Sequence, residues 1–261
     1  MNTMRKPIIT LLLIFSIAFT SSSQDEKREF YQLKTYTLAD EKQEGIMDAY
    51  LKDAYLPALK RAGIENVGVF KFRPNNYLIA NKIYVLIPFK SMEQFITLDD
   101  MLAQDKTYIS TGADYIKAKY DDPPYERINS TLMQAFTEMP FMKASEVKGP
   151  RKDRVYELRS YESSTEDIYK NKVDMFNAGG EVALFESLGA NAVFYAEVLS
   201  GDSMPNLVYM TTYPNMEARN KLWDAFRSSD VWVKLKSDPK YQNNVSKADI
   251  LLLYPTEYSD Y

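Results

Sequence analysis

Residues 154–161 read RVYELRSY, and residues 30–36 carry a second version of this stretch, FYQLKTY. Side chains of a β-strand alternate between two faces, and the two versions agree face by face. One face is apolar and holds Tyr31, Leu33 and Thr35, or Tyr156, Leu158 and Ser160. The other face is polar and holds Gln32, Lys34 and Tyr36, or Glu157, Arg159 and Tyr161. The repeated strand predicts a chain built from two similar halves.

Other landmarks recur in the same order. Gly63 and Gly189 each follow a helical pattern, as expected of a residue that ends a helix in the left-handed conformation. The pairs Met92-Glu93 and Met216-Glu217 keep nearly the same separation as the two strands. We therefore predict an export signal over residues 1–23, a first repeat over 28–140, a linker over 141–153 and a second repeat over 154–261.

Apolar periodicity and turn residues give the elements of each repeat. In the first repeat we predict strands at 30–36, 67–72, 83–89 and 132–136, with a turn at 74–76. We also predict a helix at 41–62, which Pro57 kinks or restarts. A second helix begins at the capping residues Ser91 and Gln94. In the second we predict strands at 154–161, 192–198, 207–213 and 250–254, a helix at 168–188, and helices after Asn215 and Asp230. This order is that of the ferredoxin-like α+β unit. Two such units can cover each other's bare sheet faces, which predicts a barrel with helices outside and a lumen within.

The first residues have the composition of an export signal. Arg5 and Lys6 precede an apolar run at 7–19 and three serines at 21–23. The run is shorter than a bilayer span, so we expect cleavage rather than a retained anchor, and a periplasmic or secreted protein without a stable membrane anchor. Since the chain has no Cys, neither lipid attachment through a cysteine nor a disulfide is available.

Residue types exclude much chemistry. The chain has no His and no Cys, which removes Ser-His-Asp triads, cysteine nucleophiles and Cys/His metal sites. Only 9 Gly are present and no phosphate-binding loop is found, so we expect no cofactor and no metal. Acidic residues outnumber basic ones and no cluster of basic residues stands out, which argues against nucleic acid as a partner. A homo-oligomer is one candidate for the state of assembly.

The charged strand faces are the candidate site. If the helices cover the Tyr and Leu faces, the polar faces point into the lumen. Arg159, Lys34 and Gln32 would then bind a ligand, while Glu157 would be the base and Tyr36 or Tyr161 the acid of a reaction. The competing interpretation is structural, with Glu157 and Arg159 forming an ion pair that fills the lumen.

Several of these segments resemble the NIPSNAP family. The resemblance rests on residues 155–161, the helix end at Leu188-Gly189, and the run from Leu207 to Trp223. It is weaker in the first repeat, where Gln32 and Lys34 replace Glu and Arg. The resemblance implies a dimeric α+β barrel fold, here formed as a pseudo-dimer by two tandem ferredoxin-like units of one chain. It supplies no catalytic residues.

Three classes of function follow from these observations. The first is an exported protein that binds a small molecule in the lumen or in a cleft between the repeats. The second is a cofactor-independent monooxygenase, isomerase or lyase that acts on a small polar or aromatic substrate. The third is a structural or interaction protein, for which the lumen would be filled by side chains.

Overall fold

The computed structural model describes residues 27–73 and 81–261. The export signal and the turn at 74–76 lie outside these residues, so both stay predictions. Among the residues described, no helix combines the length and the apolarity that a membrane crossing requires.

The first repeat contains four strands with helices between them. The strands are β1 (Phe30–Thr37), β2 (Gly68–Phe72), β3 (Lys82–Phe89) and β4 (Arg127–Ala135). The helices are α1 (Glu41–Ala49), α2 (Leu56–Arg61), α3 (Met92–Gln104), α4 (Lys106–Thr111) and α5 (Ala113–Ile116), and a π-helical segment, Tyr50–Tyr55, joins α1 to α2.

The second repeat follows the same order. Its strands are β5 (Val155–Glu162), β6 (Asn191–Ser200), β7 (Asn206–Tyr213) and β8 (Lys247–Pro255). Its helices are α6 (Glu166–Phe176), α7 (Glu181–Ser187), α8 (Met216–Ser228) and α9 (Asp230–Ser237), with short 3₁₀ turns at Arg151–Asp153 and Pro239–Tyr241. The connecting segment, residues 136–150, runs from β4 toward the first of these turns.

All eight strands form one closed antiparallel barrel in the order β1-β3-β2-β8-β5-β7-β6-β4. Each repeat contributes the strand order 4-1-3-2 of a ferredoxin-like unit. The repeats join where β2 pairs with β8 and where β4 pairs with β6, so neither keeps a free sheet edge. The α+β class and the barrel-like pseudo-dimer of two tandem units are confirmed.

The barrel interior is apolar, and this reverses the predicted orientation of the repeated strands. Tyr31, Leu33, Tyr156 and Leu158 belong to one buried cluster made of side chains from all eight strands. Aromatic rings meet across it, with ring centroids 5.3 Å apart for Tyr31 and Phe194 and 5.0 Å apart for Phe70 and Tyr156. Large side chains therefore fill the lumen, and the polar strand faces lie outside, beneath the helices.

Local signals fix most helix ends. Ser91, Thr165 and Asn215 each accept a hydrogen bond from a backbone N–H of the first helical turn. Gly63 and Gly189 have φ of 75° and 74°, the left-handed values predicted for them. Asn215 thus fixes where α8 begins, four residues before Arg219.

Two helices differ from their predictions. The helix at 168–188 is divided into α6 and α7, because Gly180 takes a left-handed φ of 89° between them. The helix at 41–62 consists of contiguous segments: its spacing changes to π-helical at Tyr50–Tyr55, and an α-helix restarts at Leu56, next to Pro57, which has no N–H to give an α-helical hydrogen bond.

Candidate functional site

A buried ionic cluster lies between the second repeat's sheet and its helices. Strand β5 contributes Glu157 and Arg159, and α8 contributes Arg219 and Trp223, which are four residues apart and so share a helix face. Glu157 is fully buried. The predicted pairing of Glu157 with Arg159 is confirmed, but it occurs outside the barrel rather than in the lumen.

The carboxylate of Glu157 is saturated with donors. Its Oε1 accepts hydrogen bonds from Arg159 Nε at 2.8 Å and Arg219 Nη2 at 2.7 Å. Its Oε2 accepts from Arg219 Nε at 2.9 Å and Trp223 Nε1 at 2.8 Å. Burial by itself would raise the pKa of Glu157, but the hydrogen bonds from Arg219 and the charges of both arginines hold it below its ordinary value. A carboxylate offers about four lone-pair positions, all taken here.

Arg159 links Glu157 to a chain of phenols. Its guanidinium carbon lies 3.8 Å from the centre of the Trp223 ring, and its Nη1 donates to Tyr161 Oη at 2.7 Å. The Tyr161 and Tyr209 hydroxyls are 3.0 Å apart. The Tyr209 ring stacks on that of Tyr195, with centroids 5.4 Å apart. The cluster thus holds in place the stacked rings of Tyr195 and Tyr209, which we call the aromatic floor, beneath α7.

A second buried ion pair stands beside this chain. Lys172 of α6 donates to Glu181 of α7 at 2.9 Å, and its ammonium lies 4.5 Å from the centre of the Phe176 ring. Burial raises the pKa of Glu181, an effect that the charge of Lys172 opposes. Since an unpaired buried charge is costly, each partner requires the other. The pair ties α6 to α7 across the break at Gly180.

The polar residues of β1 lie apart from this cluster, under or beside the first repeat's helices. Lys34 Nζ donates to Tyr55 Oη at 3.4 Å, and burial lowers its pKa, partly offset by Asp99. Gln32 donates to Ser130 Oγ at 2.8 Å. Tyr36 is buried among the side chains of the first helix layer. The prediction that Lys34 and Arg159 converge on one ligand in the lumen is wrong, because each strand turns its polar face to its own helices.

A groove of about 420 Å³ opens on the outer side of the second repeat. We name it the linker groove. Its walls include Glu138, Met139 and Lys143 of the connecting segment, and Val182, Glu186 and Tyr195 of α7 and β6. Lys143 and Glu186 face each other with 3.9 Å between Nζ and Oε1. The groove lies where the chain passes from one repeat to the next.

Tyr195 is the unusual residue of the linker groove. It is 1% exposed, and among the described residues its hydroxyl has no hydrogen-bond partner. Burial raises its pKa, so the hydroxyl stays protonated. Buried polar groups are normally hydrogen-bonded, so a hydroxyl without a protein partner at the wall of a groove has hydrogen-bonding capacity left for a bound molecule.

The comparisons with known proteins identify the second repeat. Residues 156–260 match the family model NIPSNAP. The second repeat is a NIPSNAP domain. It contains the whole ionic cluster and one wall of the linker groove. None of the curated proteins compared with the chain matches it.

Solved structures extend the likeness to the whole barrel. A putative monooxygenase from Fusobacterium nucleatum superposes with a TM-score of 0.59 at 9% identity, covering 88% of this chain and 93% of its own. A putative monooxygenase from Lactobacillus acidophilus gives 0.53 at 11% identity, covering 87% and 94%. An anthrone oxidase-like protein gives 0.51 at 12% identity, covering 88% and 92%. At these identities the likeness shows a shared fold.

The geometry of the NIPSNAP domain favours a structural role for Glu157. A general base needs a lone pair directed at its substrate, whereas those of Glu157 accept from Arg159, Arg219 and Trp223. The catalytic assignments of Glu157, Tyr161 and Tyr36 and the binding assignments of Arg159, Lys34 and Gln32 are untested and stay predictions. In the part of the chain that the structure describes, no three acidic side chains converge as a metal site would require.

Sequence reasoning missed Arg219, Tyr195 and the linker groove. Arg219 had a usable signal, since it stands four residues before Trp223 on a helix whose start Asn215 fixes. Tyr195 had none, because a tyrosine within an apolar strand is ordinary core composition. The groove arises from how residues 136–150 pass over α7, which no local pattern encodes.

Proposed function

We propose that the protein binds a small, largely apolar molecule in the linker groove rather than in the lumen. The observation that carries the proposal is the Tyr195 hydroxyl, which is buried at the groove without a partner among the described residues. A ligand with a hydrogen-bonding group placed against this hydroxyl would supply the missing partner.

The size and the lining of the groove support this proposal. Its volume falls within the roughly 300–1,000 Å³ usual for small-molecule sites. Met139, Val182 and the Tyr195 ring give apolar contact, while Lys143 and Glu186 offer a charge of each sign at the rim. Such a lining suits a compact molecule with one polar group.

The rigidity of the floor supports the proposal as well. Tyr195 stacks on Tyr209, which the hydroxyl of Tyr161 and, through it, Arg159 hold in place. A site whose polar group is already oriented loses less conformational entropy when a ligand binds. The ionic cluster then acts in binding by positioning the floor, without touching the ligand.

The test is a thermal-shift screen on the chain from residue 24 onward, followed by affinity measurements on the molecules that stabilise it. The variant Tyr195→Phe removes only the hydroxyl. For a ligand that bonds to it, we expect weakening by about three- to tenfold, the value of one hydrogen bond.

Tyr156→Phe is the matched control. Tyr156 is also fully buried, and its hydroxyl likewise has no partner among the described residues, but it lies in the barrel interior. Its loss should leave affinity unchanged. If Tyr156→Phe weakens binding and Tyr195→Phe does not, the ligand occupies the lumen and the proposal fails.

A further inference from the structure

The connecting segment, residues 136–150, forms one wall of the linker groove without a helix or strand of its own. Met139 and Lys143 line the groove, whereas the three residues between them do not. Individual contacts, rather than a hydrogen-bond ladder, therefore fix the position of this wall.

Glu29, which stands just before β1, holds the stretch between these two lining residues at both ends. Its backbone N–H donates to the Pro140 carbonyl at 2.9 Å, and its Oε2 accepts from the Met142 N–H at 2.7 Å. The second contact joins positions 113 residues apart in the chain. A hydrogen bond to an ionised carboxylate is about twice as strong as one between neutral groups. Residues 140–142 are thus bound to the first repeat, although the groove lies on the second.

The Glu29 side chain has a fixed position because the barrel holds it. The hydroxyl of Tyr31, a residue of the barrel interior, donates to Glu29 Oε2 at 3.2 Å. Burial and the charge of Glu29 raise the pKa of Tyr31, so this hydroxyl keeps the proton that it donates. The Glu29 carbonyl also accepts from the Ala135 N–H at 2.9 Å, at the end of β4. The carboxylate is therefore oriented before any molecule enters the groove.

A second residue of the barrel interior reaches the same stretch. The Tyr261 ring packs in the interior cluster, and its hydroxyl donates to Met142 Sδ. A thioether is a weak acceptor, so this contact contributes less than those of Glu29. Beyond Met142, the Lys143 N–H donates to the Val193 carbonyl of β6 at 3.0 Å. Among these contacts, those of Glu29 alone reach both Pro140 and Met142.

We propose that Glu29 is a positioning residue of the linker groove, which holds the connecting segment in place opposite α7 without touching the bound molecule. The effect on binding rests on the proposed function of the groove, but the position of the segment does not. A wall that is already in place loses less conformational entropy when a molecule binds. Release of residues 140–142 would free Met139 and Lys143, on either side of them, and so weaken binding.

Hydrogen exchange of the full chain, with no ligand added, measures whether Glu29 holds the segment. In Glu29→Ala the amide of Met142 should exchange about tenfold faster or more, because it loses a hydrogen bond to a charged acceptor. Glu29→Gln keeps a side-chain oxygen that can accept this bond and should show a smaller increase. Tyr261→Phe loses only the contact with sulfur and should also show a smaller increase.

Glu197→Ala is the matched control, because it removes a partly exposed carboxylate whose partner, Arg28, lies outside the connecting segment. It should leave the exchange of Met142 unchanged. An increase below about twofold in Glu29→Ala, an equal increase in Glu197→Ala, or an equal increase in every strand of the barrel would overturn the proposal. Should Glu29→Ala fail to fold, Glu29→Gln against Glu197→Gln decides by the same comparison.

Calorimetry with p-cresol, a compact apolar ring that carries one hydroxyl, measures the consequence for binding. Glu29→Ala should weaken p-cresol binding about tenfold through loss of the preset wall, while Glu197→Ala should not. If Tyr195→Phe weakens p-cresol binding and Glu29→Ala does not, the groove binds without help from Glu29, and the inference is rejected. If p-cresol does not bind the wild-type chain, or only Tyr156→Phe weakens it, the proposed function fails, and the exchange of Met142 still decides whether Glu29 holds the segment.

Discussion

Glu157 shows how far residue-level reasoning reaches. Its pairing with Arg159 follows from sequence, because residues two apart on a strand share a face. Its contacts with Arg219 and Trp223 do not, since they join positions more than sixty residues apart. Together these contacts turn an apparent catalytic carboxylate into one whose charge is wholly committed to protein partners.

Replacing this carboxylate should destabilise the folded protein. Glu157→Gln leaves the buried Arg159 and the partly buried Arg219 without a counter-charge, and we expect the free energy of unfolding to fall by about 3–5 kcal/mol, the usual cost of breaking a buried ion pair. Urea unfolding at neutral pH measures the effect.

Glu197→Gln is the matched control for this variant. Glu197 forms a partly exposed pair with Arg28 at 3.1 Å, which should be worth no more than about 1 kcal/mol. If both variants lose similar stability, the hydrogen bonds of the Glu157 carboxylate do not stabilise the fold as much as their geometry indicates.

Acid should act on the same residue. The folded pKa of Glu157 lies below its ordinary value of 4.5, so its contribution to stability is complete above that value and is lost as pH falls through the folded pKa. The wild-type chain should therefore lose stability below pH 4.5 more steeply than Glu157→Gln. Thermal unfolding along a pH series compares the two slopes, and parallel slopes would contradict the expectation.

At the scale of elements, the number and order of the strands were predicted, although β4 begins at Arg127 rather than at 132, and the orientation of the strands was not. Tyr31 with Leu33 and Tyr156 with Leu158 were expected beneath the helices, because amphipathic helices usually cover the more apolar face of a sheet. Closing eight strands leaves room only for tightly packed side chains, and these apolar faces fill it. The helices of the second repeat instead present Arg219 and Trp223, which satisfy the polar face.

Helix ends were predictable where one residue fixes the backbone. Gly63→Ala and Gly189→Ala should each cost about 1–2 kcal/mol, because a Cβ disfavours the left-handed conformation. Neither position has an atom within 4 Å of the added carbon, so the cost is conformational rather than steric.

Gly45 provides the opposite case. It lies within α1 with open space around its missing Cβ, and Gly45→Ala should raise the free energy of unfolding by about 0.5–1 kcal/mol. Chemical denaturation of the three variants should show a lower free energy of unfolding for Gly63→Ala and Gly189→Ala and a higher one for Gly45→Ala. If Gly45→Ala lost as much stability as Gly63→Ala, the left-handed conformation at the helix ends would not be the cause of the losses.

For the whole molecule, the closed barrel was predicted because each repeat leaves a sheet face bare. The strands that meet, β2 with β8 and β4 with β6, could not be read from sequence, since hydrogen-bond pairing between edges leaves no pattern in either strand. The linker groove escaped prediction for a related reason, because it depends on how the connecting segment lies over a finished helix.

Separating the repeats should expose these edges. Residues 154–261 produced alone would leave β6 and β8 without their partners β4 and β2, and unpaired edges join other chains. We expect this fragment to form dimers or larger species in size-exclusion chromatography with light scattering, at concentrations where the full chain keeps its own mass. A stable monomeric fragment would contradict the role assigned to the edge pairing.

Carrying both halves on one chain has a consequence for how the molecule can change. In a barrel assembled from identical subunits, every substitution appears twice and must be tolerated in both positions. Here the paired Glu157 and Arg159 of the second repeat correspond to Gln32 and Lys34 of the first, which form no ion pair within the described residues. The tandem therefore lets one half carry a buried ionic cluster that the other half lacks, a difference that two identical subunits could not have.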